Sequence, residues 1–306
     1  MIKILKATEP INIDAVTVLI YGQPGVGKTS LAFTADAPLL IDFDRGAHRS
    51  MLRKDTVQVS SWADIADISA DDISEYKTII IDTGGRCLDV IAAHIMQQDP
   101  KKRRSTGELT MQGFGALKAA FVSWLKRLIL MNKDVVILAH AKEDKNKTDD
   151  VYVRPDFTGS SAGEVFKVCD MAGFLYAETG RRILDFNPSD THLGKNCAGL
   201  PALSLPDLCI ENDYLSKLIA KTKEALSSQS NAEKDNQRVL EEWICIIDTL
   251  STCSDFDAAL DKINYEAPSE HKQKIKALLN KRAKVLGFTY DKTAKGFADA
   301  SIGNNA

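Results

Sequence analysis

Residues 16–30 read VTVLIYGQPGVGKTS, and their types and spacing suit the binding of a phosphate chain. Gly22, Gly27, Lys28 and Thr29 meet every fixed position of G-x-x-x-x-G-K-[ST]. Glycines at 22, 25 and 27 allow backbone conformations closed to other residues, so that successive N–H groups can turn toward phosphate oxygens. Lys28 then neutralises the outer phosphates, and the Thr29 hydroxyl can sit on Mg²⁺. The predicted binding segment is Gly22, Gln23, Pro24, Gly25, Val26, Gly27, Lys28, Thr29 and Ser30. An apolar, β-branched run before it and a helical pattern after it supply the strand–loop–helix setting that this chemistry needs. The residues define a nucleoside-triphosphate site.

Two acidic strand ends follow. Residues 77–82 (KTIIID) form a buried run that ends in Asp82, a second expected ligand for Mg²⁺ beside Thr29. Residues 38–44 (PLLIDFD) end in Asp42 and Asp44, which otherwise read as a pair capping the next turn. Residues 134–140 (DVVILAH) place His140 at a further strand end, where a neutral imidazole can hydrogen-bond a phosphate. Glu143, three residues on, is a rival acid.

The chain has 306 residues, 44% of them apolar and 26% charged, the balance of a globular protein large enough for one big domain and one small one. No apolar run reaches the ~18–20 residues that span a bilayer, and the first ten residues lack a secretory pattern, so a cytoplasmic protein with no membrane partner is expected. Six cysteines without C-x-x-C spacing read as free thiols. A net charge of −3 confines any nucleic-acid binding to local patches.

Buried strands alternate with helical stretches at 87–98 and 115–131, which predicts a mainly parallel sheet between helices. An edge strand is expected at 2–5, a short strand at 57–60 and a helix from Trp62. Strands at 151–153, 172–177 and 183–186 are expected on the far side of the sheet. The polar stretch 227–236 reads as a linker or an exposed helix end. Apolar residues at helical spacing beyond it predict a small helical domain, with one helix start at Ser254 and Asp257 and a stop at Gly287. The domain reading is a core over 1–207, a connecting helix or linker over 208–236 and a small helical domain with a flexible tail over 237–306.

Two loops could track a nucleic-acid backbone. The first, 99–113, carries Lys101, Lys102, Arg103 and Arg104 in succession. The second, 141–163, carries Lys142, Lys145, Lys147 and Arg154 with Tyr152 and Phe157, a mixture of cations and aromatics that suits base stacking. Taken alone, each reads equally as a solvated loop. Lysines at 272, 274, 276, 281, 284, 292 and 295 give the tail a basic face. It reads first as solvated, and more sharply as a second DNA patch or a dock for an acidic partner tail; a single-strand DNA-binding protein is among the expected partners.

The order of these parts (LLIDFDRG, YKTIIIDT, QGFGALK, VVILAHAKE and LGKN) resembles a phage-encoded family of RecA-like P-loop ATPases of the AAA type. Members are associated with single-strand annealing or recombination, and the likeness covers residues 13–205. The resemblance implies a RecA-like α/β core with a helical C-terminal domain. It also implies ATP with Mg²⁺, single-stranded DNA as partner and assembly into homo-oligomeric rings or filaments. It assigns Asp44 to activating the attacking water, although a RecA-like relative carries the longer Glu at that position. It makes His140 a γ-phosphate sensor, Lys195 a cation offered to the neighbouring subunit's ATP, and the two loops DNA contacts. The alternatives are an ATP-bound annealing scaffold with negligible turnover, or a motor or loader acting on a protein client in replication.

Overall fold

The computed structural model describes residues 12–50, 52–145, 149–158, 161–269, 271–291 and 294–299, with backbone alone at 161 and 228–237. The strand expected at 2–5 and Lys147 lie outside them. The chain divides into two compact units, Asn12–Ser227 and a smaller one from Ser228 onward.

The larger unit is built on one sheet. Its strands are β1 (Thr17–Gly22), β2 (Pro38–Asp42), β3 (Thr56–Gln58), β4 (Thr78–Asp82), β5 (Asp134–Lys145), β6 (Val151–Pro155), β7 (Met171–Glu178), β8 (Arg181–Asp185), β9 (Lys195–Asn196) and β10 (Leu203–Ser204). The order is β10-β8-β7-β1-β5-β4-β2-β3, with β6 paired to β5 and β9 to β7. From β7 to β3 every neighbour is parallel, and β8, β9 and β10 join antiparallel. The helices are α1 (Lys28–Ala32), α2 (Gly84–Gln98), α3 (Met111–Leu130), α4 (Ser161–Val168) and the long α5 (Tyr214–Thr249).

The central strands are buried throughout over 17–22, 38–42, 78–82 and 134–139, and mostly apolar there, because both faces are covered. Leu19, Ile41, Ile81 and Ile137 pack with Leu88, Ile91, Phe121 and Leu125 of α2 and α3. Val18, Ile20, Leu40, Ile80 and Val136 face Leu31 of α1 and Leu215 and Ile219 of α5. Each such side chain contributes about 1.5–3 kcal/mol on burial. Buried charges at the amino edge are paired. Asp134 accepts from the Val16 N–H at 3.0 Å and meets Lys223 Nζ at 2.8 Å, and Asp170 accepts from the Thr17 N–H at 2.8 Å.

Several expectations are revised. Strand β5 runs on past His140 to Lys145 and turns back as β6, so the second loop is a β-hairpin followed by α4, and 151–153 is not on the sheet's far side. Its strands carry few apolar residues because most of its side chains face water. The helix expected from Trp62 is one 3₁₀ turn, Trp62–Asp64, held by reciprocal bonds between Ser61 and Asp64. Of the two alternatives for the 227–236 stretch, linker or helix, it is helical, and it continues α5.

The smaller unit contains the end of α5, α6 (Cys253–Glu266), α7 (Lys272–Val285) and a hairpin of β11 (Phe288–Asp291) with β12 (Gly296–Asp299). Trp243, Ile247, Phe256, Ile263, Ile275, Leu279 and Phe297 form its core. Helix α6 starts two residues before the position expected, at Thr252, whose side chain caps the Asp255 N–H while Asp255 reaches back to Thr252. Asp257 instead accepts from the Phe297 N–H at 2.7 Å, which ties β12 to α6. The sequence does not announce the hairpin, because its strands are four residues each and fall below the length at which period-two patterning is distinct.

Candidate functional site

The loop after β1 takes its shape from three glycines with two different needs. Gly25 and Gly27 have φ of 80° and 100°, where a side chain is strained. Gly22 is required by close approach instead, since a Cβ there would lie 2.2 Å from the Leu175 carbonyl oxygen of β7. Helix α1 has only five residues, so the donors offered to a phosphate chain here are chiefly the loop N–H groups and Lys28. Lys28 is buried, and its Nζ donates to the carbonyls of Gly22 at 2.9 Å and Gln23 at 3.0 Å. Burial lowers its pKa, and Asp82 and Asp44 pull it back up.

Strand register brings the predicted acids to the same rim. Asp42 lies level with Asp82, and His140 directly opposite Gly22. The Thr29 hydroxyl donates to Asp82 Oδ2 at 2.7 Å. Burial raises the Asp82 pKa above the usual carboxylate range; the Thr29 hydroxyl bond opposes this, and the charges of Asp44 and Asp42 add to it. A hydroxyl and a buried carboxylate in contact, beside a lysine folded onto the loop, are donors that fit Mg²⁺ shared with phosphate oxygens. Among the described residues no cluster of three or more His, Cys, Asp or Glu could hold a metal unaided.

The two acids of 42–44 part company. Asp42, fully buried, accepts from the N–H groups of Gly46 at 3.1 Å and Ala47 at 3.0 Å and so shapes the turn after β2. Asp44 enters the site. It lies 3.6 Å from His140 Nε2 and 3.3 Å from Nε of Arg86 on α2. The other His140 nitrogen, Nδ1, is buried without a hydrogen-bond partner among the described residues. Lys28, Thr29, Asp44, Asp82 and His140 line one cavity of about 240 Å³, together with Arg49. A wider groove of about 840 Å³ at the start of β2 and β3 has no convergent acid, base and phosphate loop, so chemistry assigns the site to the smaller cavity. Glu143 is exposed on the hairpin and is not part of that lining.

Arg49 and Arg86 are site residues that the sequence alone does not single out. Each sits on a turn or helix start right after a predicted acidic strand end, and that position is their only signal. Lys195 does not join the site. It lies opposite Ala172, near the amino end of β7, and its Nζ donates to the carbonyls of Cys169 and Phe166. Its ammonium is engaged within its own chain, so the role expected for it toward a neighbour's nucleotide is set aside.

The basic loops are folded. In the first, Asp99 caps a 3₁₀ turn, Pro100–Lys102, and Arg103 bridges to Leu109. Lys102 pairs with Asp99 at 3.7 Å and Arg104 with Glu108 at 4.0 Å, while Lys101 and Arg103 have no carboxylate partner among the described residues. Helix α2 leaves the carboxyl end of β4, and α3, about 30 Å long, returns to the amino end of β5. The turn between them therefore stands on the carboxyl side, as does the β5–β6 hairpin. In that hairpin Lys142 lies opposite Arg154, and the pair is neutralised by Asp156 at 4.0 Å and Asp144 at 2.9 Å. Phe157 is buried against Gly84, not available for stacking.

No curated protein matches the chain. The AAA domain family matches residues 14–198, more than half of the chain and all of β1 to β9, including the phosphate loop, Asp44, Asp82 and His140. With a parallel sheet, a phosphate loop at the end of β1 and acids on the same rim, the chain belongs to the AAA domain family and is a P-loop ATPase.

Proposed function

We propose that the protein binds and hydrolyses ATP with Mg²⁺ as a homo-oligomer, a ring or filament, on single-stranded DNA, in strand annealing or recombination of the phage type. The observation that carries this is the Asp44 contact with both His140 and Arg86, because those residues begin the two carboxyl-side projections. His140 leads directly into the β5–β6 hairpin, and Arg86 sits in the first turn of α2, which ends at the basic turn.

In the hydrolytic step a water attacks the γ-phosphorus in line, the bond from phosphorus to the β,γ-bridging oxygen breaks, and ADP leaves as phosphate forms. Asp44 orients the water and takes its proton, and Lys28 holds the outer phosphates. Thr29 and Asp82 would hold Mg²⁺, which when bound would supply charge neutralisation at the phosphates. His140 senses whether the γ-phosphate is present by exchanging Asp44 for a phosphate oxygen.

Equilibrium binding of a fluorescent ATP analogue, with ATPase rates measured with and without single-stranded DNA, tests this reading. Single-stranded DNA should raise turnover, and Lys28→Ala should weaken nucleotide binding by about 10–100-fold or more, as expected for loss of charge-assisted phosphate bonds. Unchanged binding in Lys28→Ala rejects the site, and a rate indifferent to DNA rejects the partner. A second reading, a scaffold whose ATP turns over negligibly, is favoured by the shorter Asp at 44 and by its engagement with Arg86.

A further inference from the structure

The flank of the phosphate loop away from Asp44, Asp82 and His140 carries one arginine that the hydrolytic scheme above leaves without a role. Strand β8 lies beyond β7, two strands from β1, on the side opposite β5 and β4. Leu175 of β7 is level with Gly22, and Arg182 of β8 is level with Ala177, two residues further toward the carboxyl edge. Arg182 therefore overhangs the loop. A Cβ built on Gly27 would lie 2.7 Å from Arg182 Nη1 and 3.8 Å from its Cδ and Cζ, so the guanidinium rests directly on the last glycine before Lys28.

Three further observations point outward from that contact. The Arg182 backbone is fixed, paired to Ala177 on one side and accepting from the Leu205 N–H at 2.8 Å on the other. The side chain is half-buried, yet it makes no ion pair or hydrogen bond among the described residues. A guanidinium offers five N–H donors in a rigid fork, and here none of them meets an acceptor among the described residues. An anion is the partner that such a group lacks. Finally, Lys195 is committed to carbonyls of its own chain and leaves this flank of the loop to Arg182.

We infer that Arg182 binds the phosphate chain of the nucleotide held by its own loop, as a nucleotide-contacting arginine acting in cis. The inference rests on the ATP reading above. Acids on β2 and β4 would then flank the phosphates on one side and Arg182 on the other, with Gly27 as the floor between them. A cation in this position serves both binding and the charge that builds on the phosphate oxygens during transfer, and P-loop enzymes are able to carry it in cis. Because the fork and not only the charge matters, lysine is a poor substitute.

The test uses the full chain and the variants Arg182→Ala, Arg182→Lys and Lys28→Ala. Binding of fluorescent ATP and ADP analogues is measured with Mg²⁺, melting is followed without nucleotide, and ATPase rates are taken for single variants and for mixtures. Arg182→Ala is expected to melt as the parent does and to bind the ATP analogue about 10–100-fold more weakly. Arg182→Lys should recover only part of the loss. Mixing Arg182→Ala with Lys28→Ala should restore nothing, because each chain lacks one half of its own site. Affinities and rates within twofold of the parent reduce Arg182 to a strut on Gly27 and overturn the inference. Activity regained in the mixture overturns it too, by showing that the arginine serves a neighbour. Should Arg182→Ala fail to fold, Arg182→Lys carries the same comparison. Retained nucleotide binding in Lys28→Ala would instead sink the ATP reading itself, whatever Arg182 does.

Discussion

Asp44 sits where several demands on one carboxylate meet. Its N–H lies 3.3 Å from the Asp82 carbonyl, which ties the end of β2 to that of β4, and its oxygens face His140 and Arg86. Its side chain is about a quarter exposed, enough to meet water and too little to be a free surface acid. If it is the base, Asp44→Asn should lower turnover about 10²–10⁴-fold while leaving the ATP analogue's affinity within a few-fold of the parent. Single-turnover kinetics beside equilibrium binding separates the two effects. Equal turnover in Asp44→Asn would pass the role elsewhere, and annealing that survives in an inactive variant would favour the scaffold reading. Asp42, two residues away, predicts the opposite pattern, because its bonds to Gly46 and Ala47 are structural.

At the scale of elements, the contact between α2 and the root of the β5–β6 hairpin joins the site to its projections. Gly84 opens α2 directly under Phe157; a Cβ there would lie 2.7 Å from that ring and 2.9 Å from Ile137. Asp156 donates its N–H to the His140 carbonyl at 2.8 Å, so the hairpin root is tied directly to His140. Gly84→Ala should therefore overpack this joint, costing about 1–3 kcal/mol in melting experiments. It should also reduce DNA stimulation more than it reduces ATP binding. The cap of α6 allows a separate prediction in the smaller unit. Thr252→Ala should weaken that helix by about 0.5–2 kcal/mol, read from hydrogen exchange of α6 amides. Bonds from Thr252 and Ser251 hold the Asp255 carboxyl below its usual pKa. A lowered folded-state pKa means that the added stability is complete above the unfolded value and is lost as pH falls through the folded one. Exchange protection in α6 should accordingly fall on acidification below the ordinary carboxylate range, and Asp255→Asn should flatten that dependence.

For the whole molecule the question is what the carboxyl side of the sheet presents to a partner. The hairpin carries Lys142, Lys145, Lys147 and Arg154 against Glu143, Asp144, Asp149, Asp150 and Asp156, so its sequence holds more acid than base. The turn between α2 and α3 has Lys101, Lys102, Arg103 and Arg104 against Asp99 and Glu108. Nucleic-acid affinity should therefore reside in the turn. Replacing residues 101–104 by Gln should weaken single-stranded DNA binding, and the salt slope should fall by ~0.7 for each phosphate that is no longer neutralised. The matching change in the hairpin, Lys142 and Arg154 to Gln, should do less. The reverse ranking would move the interface, and normal DNA binding in both with loss of a protein partner would favour the loader reading. Among the described residues no helix is long and apolar enough to cross a membrane.

The phosphate loop, Asp82, His140 and the parallel core were legible in the chain itself, because fully buried strands write unbroken apolar runs and their chemistry stands at the run's end. The same local signal could not part Asp42 from Asp44, since which of two neighbouring carboxylates turns inward depends on the turn that follows. Nor could it tell a flexible loop from a hairpin at 141–155, where pairing joins residues six to fourteen apart and few apolar side chains mark it. Lys195 and Arg182 carry the point furthest. Strand register alone put the lysine near the amino end of β7 and the arginine over Gly27, and no spacing along the sequence encodes that exchange.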